Sequence, residues 1–246
     1  MLNEPTVEKL RALKLNAMAD TWLEHQQDAQ IGSLSFDERL GLLVDAETIA
    51  RENRRLTRRL QEAKLRINTA CVEDIDHGKG RGLTTSVTRQ LASCSWIAAH
   101  QNVTVVGATG TGKTYVACAL AQQACRKGYR ATYRRAPRLF HELLLAKADG
   151  SYTQLLGRFA RLDLLVIDDF GLAPMDDHEK QDLLELLEDR YDNRSTMIAS
   201  QLPTENWHDL LGEPTLADAI LDRILHNAHR VVLQGPSRRK EVSPLQ

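Results

Sequence analysis

Apolar positions change their period near residue 80. From residue 6 to about residue 75 they recur at three- and four-residue spacing: Leu10, Leu13 and Ala17, then Leu40, Leu43 and Val44 with Glu47. That repeat marks one face of a helix. Ser35 stands three positions before Glu38, a capping-box pair opening a helix predicted to run through Arg66. Gly78, Gly80 and Gly82 then interrupt the pattern in "HGKGRGL". Beyond them, short apolar runs alternate with helical stretches: "VTVVG" (103–107), "YRATYR" (129–134), "LDLLVID" (162–168) and "STMIAS" (195–200), with "VVL" (231–233) as a fifth. Runs buried on both faces and separated by helices predict a mainly parallel sheet with helices on each side. The expected organisation is a helical N-terminal domain (1–75), a linker (76–82) and an α/β domain (83–246).

Two motifs in the second part carry chemistry. Gly107-Ala108-Thr109-Gly110-Thr111-Gly112-Lys113-Thr114 fits the phosphate-binding loop G-x-x-x-x-G-K-[ST] at every fixed position. Phosphate binding needs closely spaced backbone N–H groups at a helix N-terminus, and glycines permit that approach. Lys113 would reach the β- and γ-phosphates and Thr114 would ligate Mg²⁺. In "LLVIDDFG" (164–171), four apolar residues end in two acids. Asp168 is placed to hold Mg²⁺, and Asp169 to orient or deprotonate the attacking water. Together the motifs predict a P-loop nucleoside triphosphatase. Gln201, ending the "STMIAS" run, is by spacing either a γ-phosphate contact or a solvent-facing strand end. Arg223 lies on an amphipathic helix (216–230), where pattern alone makes it an ordinary surface arginine.

Charge and composition narrow the partners. Lys plus Arg total 32 against 33 Asp plus Glu, a balance that conceals segregation. Residues 51–66 hold seven basic side chains and two acidic ones. On a helical wheel Ile49, Leu56, Leu60, Ala63 and Ile67 share one side, with Arg51, Arg54, Arg55, Arg58, Arg59 and Arg66 opposite. Such a stripe suits successive phosphates of duplex DNA. A second cluster, Arg130, Arg134, Arg135 and Arg138, is a candidate channel lining. No aromatic residue interleaves the first cluster and only Tyr133 the second, so stacking on single strands is not suggested. The start MLNEPTVEKL has no apolar secretory core, and the apolar runs fall far short of the roughly 20 residues that span a bilayer. Cys71, Cys94, Cys118 and Cys125 form no C-x-x-C pair, so reduced thiols in a cytoplasm are expected. His226 and His229 lack a third metal ligand nearby.

Taken together, these residues resemble an AAA+ ATPase of the IstB type, the transposition helper subunits, near the DnaC-like helicase loaders. The likeness runs through "SFDERLGLLVDAE", "RENRRLTRRL", "WIAAHQNV", "GATGTGKTYVACALAQQACRKG", "ADGSY", "LLVIDDFG", "DLLELLEDRY", "SQLP", "WHDLLGEPTLADAILDRILHNAH" and "GPSRRK". It implies ATP as the nucleotide, self-assembly into a homo-oligomer on duplex DNA, and stimulation of the transposase of the same element. It places Gln201 at the sensor 1 position, where AAA+ proteins more often have Asn or Thr, and Arg223 at the arginine-finger position. Arg238 or Arg239 takes the sensor 2 role. Only 23 residues follow Arg223, too few for a full C-terminal lid, so a neighbouring subunit is expected to close the nucleotide site. Two other functions fit the same motifs. A replicative helicase loader would use its N-terminal region on a helicase, which a pull-down separates. A nucleotide-gated scaffold would bind ATP without turnover, which phosphate release with DNA decides.

Overall fold

A computed structural model describes residues 4–28, 31–78 and 80–237. The chain divides into two compact units, Met1–Arg58 and Arg59–Gln246. The division falls inside a helix rather than at the glycine-rich segment, and residues 59–75 belong to the larger unit.

In the smaller unit, α1 (Glu4–Ala12) and α2 (Asn16–His25) precede the 28-residue α3 (Phe36–Ala63). Ser35 opens α3 as the spacing predicts: its hydroxyl accepts the Glu38 N–H, and the Glu38 carboxylate accepts the Ser35 N–H. Glu47, on the apolar period, is buried, and its Oε2 accepts the N–H groups of Ala17 (2.9 Å) and Met18 (3.3 Å). A carboxylate there caps the positive start of α2. Its charge is balanced by Arg51 Nε at 2.8 Å and Arg54 Nη2 at 3.1 Å. The hydrogen bond from Arg51 holds Glu47 below the usual carboxylate range. Ile49 departs from the wheel: it is 57% exposed, whereas Leu43 and Ala63 are buried.

The larger unit carries α4 (Thr85–Ala92), α5 (Ser95–Ala98), β1 (Asn102–Gly107), α6 (Lys113–Arg126), β2 (Ala131–Arg135) and α7 (Ala136–Asp149). It continues with α8 (Tyr152–Ala160), β3 (Leu164–Phe170), α9 (Asp177–Glu188), β4 (Ser195–Ser200), α10 (Trp207–Leu211), α11 (Pro214–Leu225) and β5 (Ala228–Leu233). The five strands form one parallel sheet in the order β2-β3-β4-β1-β5. β4 thus lies between the strand that ends in the phosphate loop and the strand that ends in the acids. Leu165, Ile167 and Ile198 join a core with Leu139, Leu143, Leu183 and Ile220 from α7, α9 and α11. Alternate strand positions face the other way, toward α6, whose Ala117, Cys118, Ala121 and Cys125 are fully buried. Small side chains let that helix lie close to the sheet. Trp96 and Trp207 are packing residues, each donating its indole N–H to a carbonyl five residues away, Leu91 and Leu202.

At the end of β3 the pairing with β4 slips. Ile167 faces Ile198 but Phe170 faces Ser200, so Asp168 and Asp169 together oppose Ala199. Asp169 occupies the left-handed region at φ +57. Such a bulge re-aims side chains that would otherwise alternate across the sheet, and Asp is among the residues that tolerate this backbone.

Candidate functional site

The loop between β1 and α6 turns on Gly110 (φ +85) and Gly112 (φ +102), values that exclude most side chains. Lys113 begins α6, is buried, and its Nζ donates to the carbonyls of Gly107 (2.7 Å) and Ala108 (2.9 Å). Thr114 follows, and its hydroxyl donates to Asp168 Oδ2 at 2.7 Å. The two motifs, 54 positions apart, therefore meet as side chains. The same Oδ2 accepts the Tyr133 hydroxyl at 2.6 Å, and Asp168 Oδ1 accepts the Asp169 N–H at 2.8 Å. Asp168 is 1% exposed, so its charge is satisfied by three neutral donors rather than by water. Burial, and then the Asp168 carboxylate it serves, push the Tyr133 phenol well above its ordinary range. Tyr133 is a site residue that spacing does not reveal, because an aromatic at the end of β2 reads as core.

Asp169 points differently. Its Oδ2 accepts Arg135 Nε at 2.6 Å and lies 3.7 Å from Arg66 Nη1. Spacing assigns both arginines to DNA-facing surfaces, and the fold turns both toward the acidic pair instead. The rest of the second cluster is likewise engaged: Arg134 Nε meets Glu142 at 3.0 Å, Arg138 Nε the same residue at 3.4 Å, and Arg130 donates to the Arg161 carbonyl at 2.7 Å.

Gln201, just past β4, meets the phosphate loop: Thr109 Oγ1 donates to Gln201 Oε1 at 2.7 Å. The sheet order places it between the ends of β1 and β3. After β5 the chain returns across the loop. A Cβ built on Gly110 would lie 2.0 Å from Ser237 Oγ. Arg238 and Arg239, the sensor 2 candidates, lie outside the described residues. Beside the loop, Ile75, Leu83, Tyr115 and Leu233 wall a cleft closed by Asp76 and Arg81, which pair at 3.2 Å.

Arg223 stands at the far end of the sheet. Its backbone carbonyl accepts Asn102 Nδ2 at 2.9 Å, at the start of β1. The phosphate loop begins where β1 ends, roughly 17 Å away at about 3.3 Å per residue. The guanidinium pairs with Glu188 and lies 5.9 Å from the Tyr191 ring centre. His229 bonds Gln101 at 2.8 Å. Among the described residues no three of His, Cys, Asp and Glu form a metal site, and no helix is long and apolar enough to cross a membrane. All four cysteines are free.

This arrangement, a phosphate loop joined by a strand-inserted sheet to a buried acid, has relatives over nearly the whole chain. The family model described as IstB-like ATP binding protein matches residues 8–244. The chain belongs to the IstB-like family. An insertion sequence ATP-binding protein of Sinorhizobium fredii is 45% identical over 240 residues, 98% of each chain. The ATP-binding protein of insertion sequence IS1162 from Pseudomonas fluorescens is 45% identical over 204 residues, 83% of this chain and 88% of that one. Among solved structures the DnaC helicase loader shares the fold, with a TM-score of 0.55 and 21% identity over 67% of this chain and 97% of that one. This IstB-like protein is accordingly an ATP-binding AAA+ protein and an ATP hydrolase, with the five-stranded parallel sheet of that class. Among its described residues no helix follows α11.

Proposed function

We propose that this IstB-like ATPase assembles on duplex target DNA and assists a partner transposase in moving an insertion element. The position of Arg223 carries the assembly part. An arginine whose backbone is held at the start of β1 and whose guanidinium pairs with Glu188 does not reach the phosphates held at the end of β1, so it serves a neighbouring copy's site. The names of the relatives tie the family to insertion sequences, and the resemblance in the motifs supplies the transposase.

Within one subunit the loop N–H groups and Lys113 hold the triphosphate. Thr114 and Asp168 offer a hydroxyl and a carboxylate oxygen that already meet, the oxygen-only pair that suits Mg²⁺, which takes its remaining ligands from water and phosphate. When bound, Mg²⁺ would neutralise charge developing on the phosphates. Gln201 would contact the γ-phosphate, and Asp169 would orient the attacking water.

Turnover should reveal the shared site. Arg223→Ala should leave ATP affinity of dispersed subunits within two-fold but lower turnover on the order of 10³-fold, the usual weight of a trans arginine. Mixing Arg223→Ala with Lys113→Ala subunits should restore part of the activity, since some seams then pair an intact loop with an intact Arg223. Particle size with ATP analogue and duplex should rise in parallel. No recovery on mixing would show that Arg223 does not act across subunits. Little stability should be lost, because its pair with Glu188 lies at the surface, where solvent screens it.

For DNA, the basic run on α3 supports the reading. Arg55 is exposed, whereas Arg51 and Arg54 are shared with Glu47. In the larger unit a groove of about 360 Å³ is lined by Arg59, Lys64, Arg130 and Arg158, which adds basic surface beyond the helix. Replacing Arg54, Arg55, Arg58 and Arg59 by Ala should weaken duplex binding and flatten its salt dependence by about 0.9 in slope for each phosphate no longer neutralised. A titration over 50–200 mM salt checks this, and an unchanged slope would clear the helix of the role.

A further inference from the structure

Spacing puts Arg66 with the phosphate-facing arginines of α3, and the fold removes it from them. α3 ends at Ala63, Lys64 turns the backbone at φ +50, and Arg66 swings toward the acidic pair. Its Nη1 lies 3.7 Å from Asp169 Oδ2, the oxygen that also accepts Arg135 Nε. The neighbouring carboxylate, Asp168, accepts the Tyr133 hydroxyl at Oδ2. One side chain just past the end of the basic helix thus reaches Asp169.

The segment that carries Arg66 is short and fixed at both ends. Ala63, the last residue of α3, and Ala70 are fully buried, so Arg66 is held close to the end of the helix. Asp169 holds a left-handed backbone at a bulge, and its Oδ2 is shared by two guanidinium groups. Of the two, Arg66 is the more distant and the one continuous with the basic helix.

We propose that Arg66 is a positioning residue that ties Asp169 to the end of α3, so that duplex bound along that helix changes the hold on the hydrolytic acid. This rests on the DNA-binding reading of α3. The coupling has two readouts, one kinetic and one in binding. One is the ratio of turnover with and without duplex. The other is the ratio of duplex Kd without and with a non-hydrolysable ATP analogue, which needs no catalysis.

The test compares the parent full-length protein with Arg66→Ala and Arg66→Lys. In Arg66→Ala both ratios should fall to about 1, with duplex affinity in the absence of nucleotide and its salt slope preserved. Arg66→Lys should be intermediate, keeping the charge near Asp169 but losing the planar guanidinium fork. Thermal melting of each variant separates this from misfolding, since a folded Arg66→Lys protein still reads the coupling. Ratios equal to the parent's would overturn the assignment. So would a salt slope flattened by about 0.9, which would make Arg66 a phosphate ligand, or a folded Arg66→Ala protein inactive with and without duplex, which would put Arg66 in the chemistry. A parent protein that neither binds duplex nor responds to it would instead defeat the DNA reading on which the assignment stands.

Discussion

Lys113→Ala should abolish nucleotide binding, raising the dissociation constant for ATP on the order of 10³-fold. The ammonium group is buried at the start of α6, against the carbonyls of Gly107 and Ala108. A unit charge about 4 Å from a phosphate oxygen at an effective dielectric of 20 contributes about 4 kcal/mol, and 1.4 kcal/mol is a factor of ten. The backbone N–H groups of the loop survive the substitution, so a weak residual affinity is expected. Titration with a fluorescent ATP analogue measures the effect, and thermal melting without nucleotide checks that the loop has not unfolded. A loss smaller than ten-fold would mean that Lys113 serves mainly to brace the loop through those two carbonyls.

The second large effect separates binding from turnover. Asp169→Asn should lower hydrolysis on the order of 10³-fold, within the 10²–10⁴ range for losing a positioned general base, while ATP binding stays within a few-fold. The substitution is nearly isosteric, and Asn accepts the left-handed backbone that Asp169 adopts at φ +57. It also keeps an oxygen to receive the Arg135 N–H, so the bulge should persist. ATP-bound assemblies of this variant should remain on duplex DNA instead of dispersing. Single-turnover phosphate release and particle sizing read the two halves separately. Hydrolysis at the parent rate would remove Asp169 from the chemistry and leave Asp168 as the acid of consequence.

These outcomes bear on one arrangement. The phosphate loop and acidic pair close at one end of the sheet, and Arg223 is fastened at the other. Under the proposed function a subunit holds nucleotide alone but hydrolyses it beside a neighbour. Nucleotide binding then favours the assembled state by mass action, because a ligand touching two copies stabilises their association.

The amino-acid sequence by itself determined the elements and the nucleotide chemistry. Period and punctuation are local properties, so "VTVVG" and "STMIAS" locate β1 and β4, and Ser35 with Glu38 locates the start of α3. The phosphate loop is equally legible, since its function depends on contiguous residues. Tertiary structure decided whatever depends on groups distant in the chain. Tyr133 joins Asp168 only because β2 and β3 pair in register, Arg135 facing Asp168 along the ladder. Arg66 and Arg135, alike in sequence to surface arginines, reach Asp169 because a helix ends at Ala63 and a strand bulges at the acids. Glu47 keeps the helical period yet is a buried cap for α2. A side chain's charge is written at its own position, but which charges neutralise one another is settled only when distant backbone segments pack.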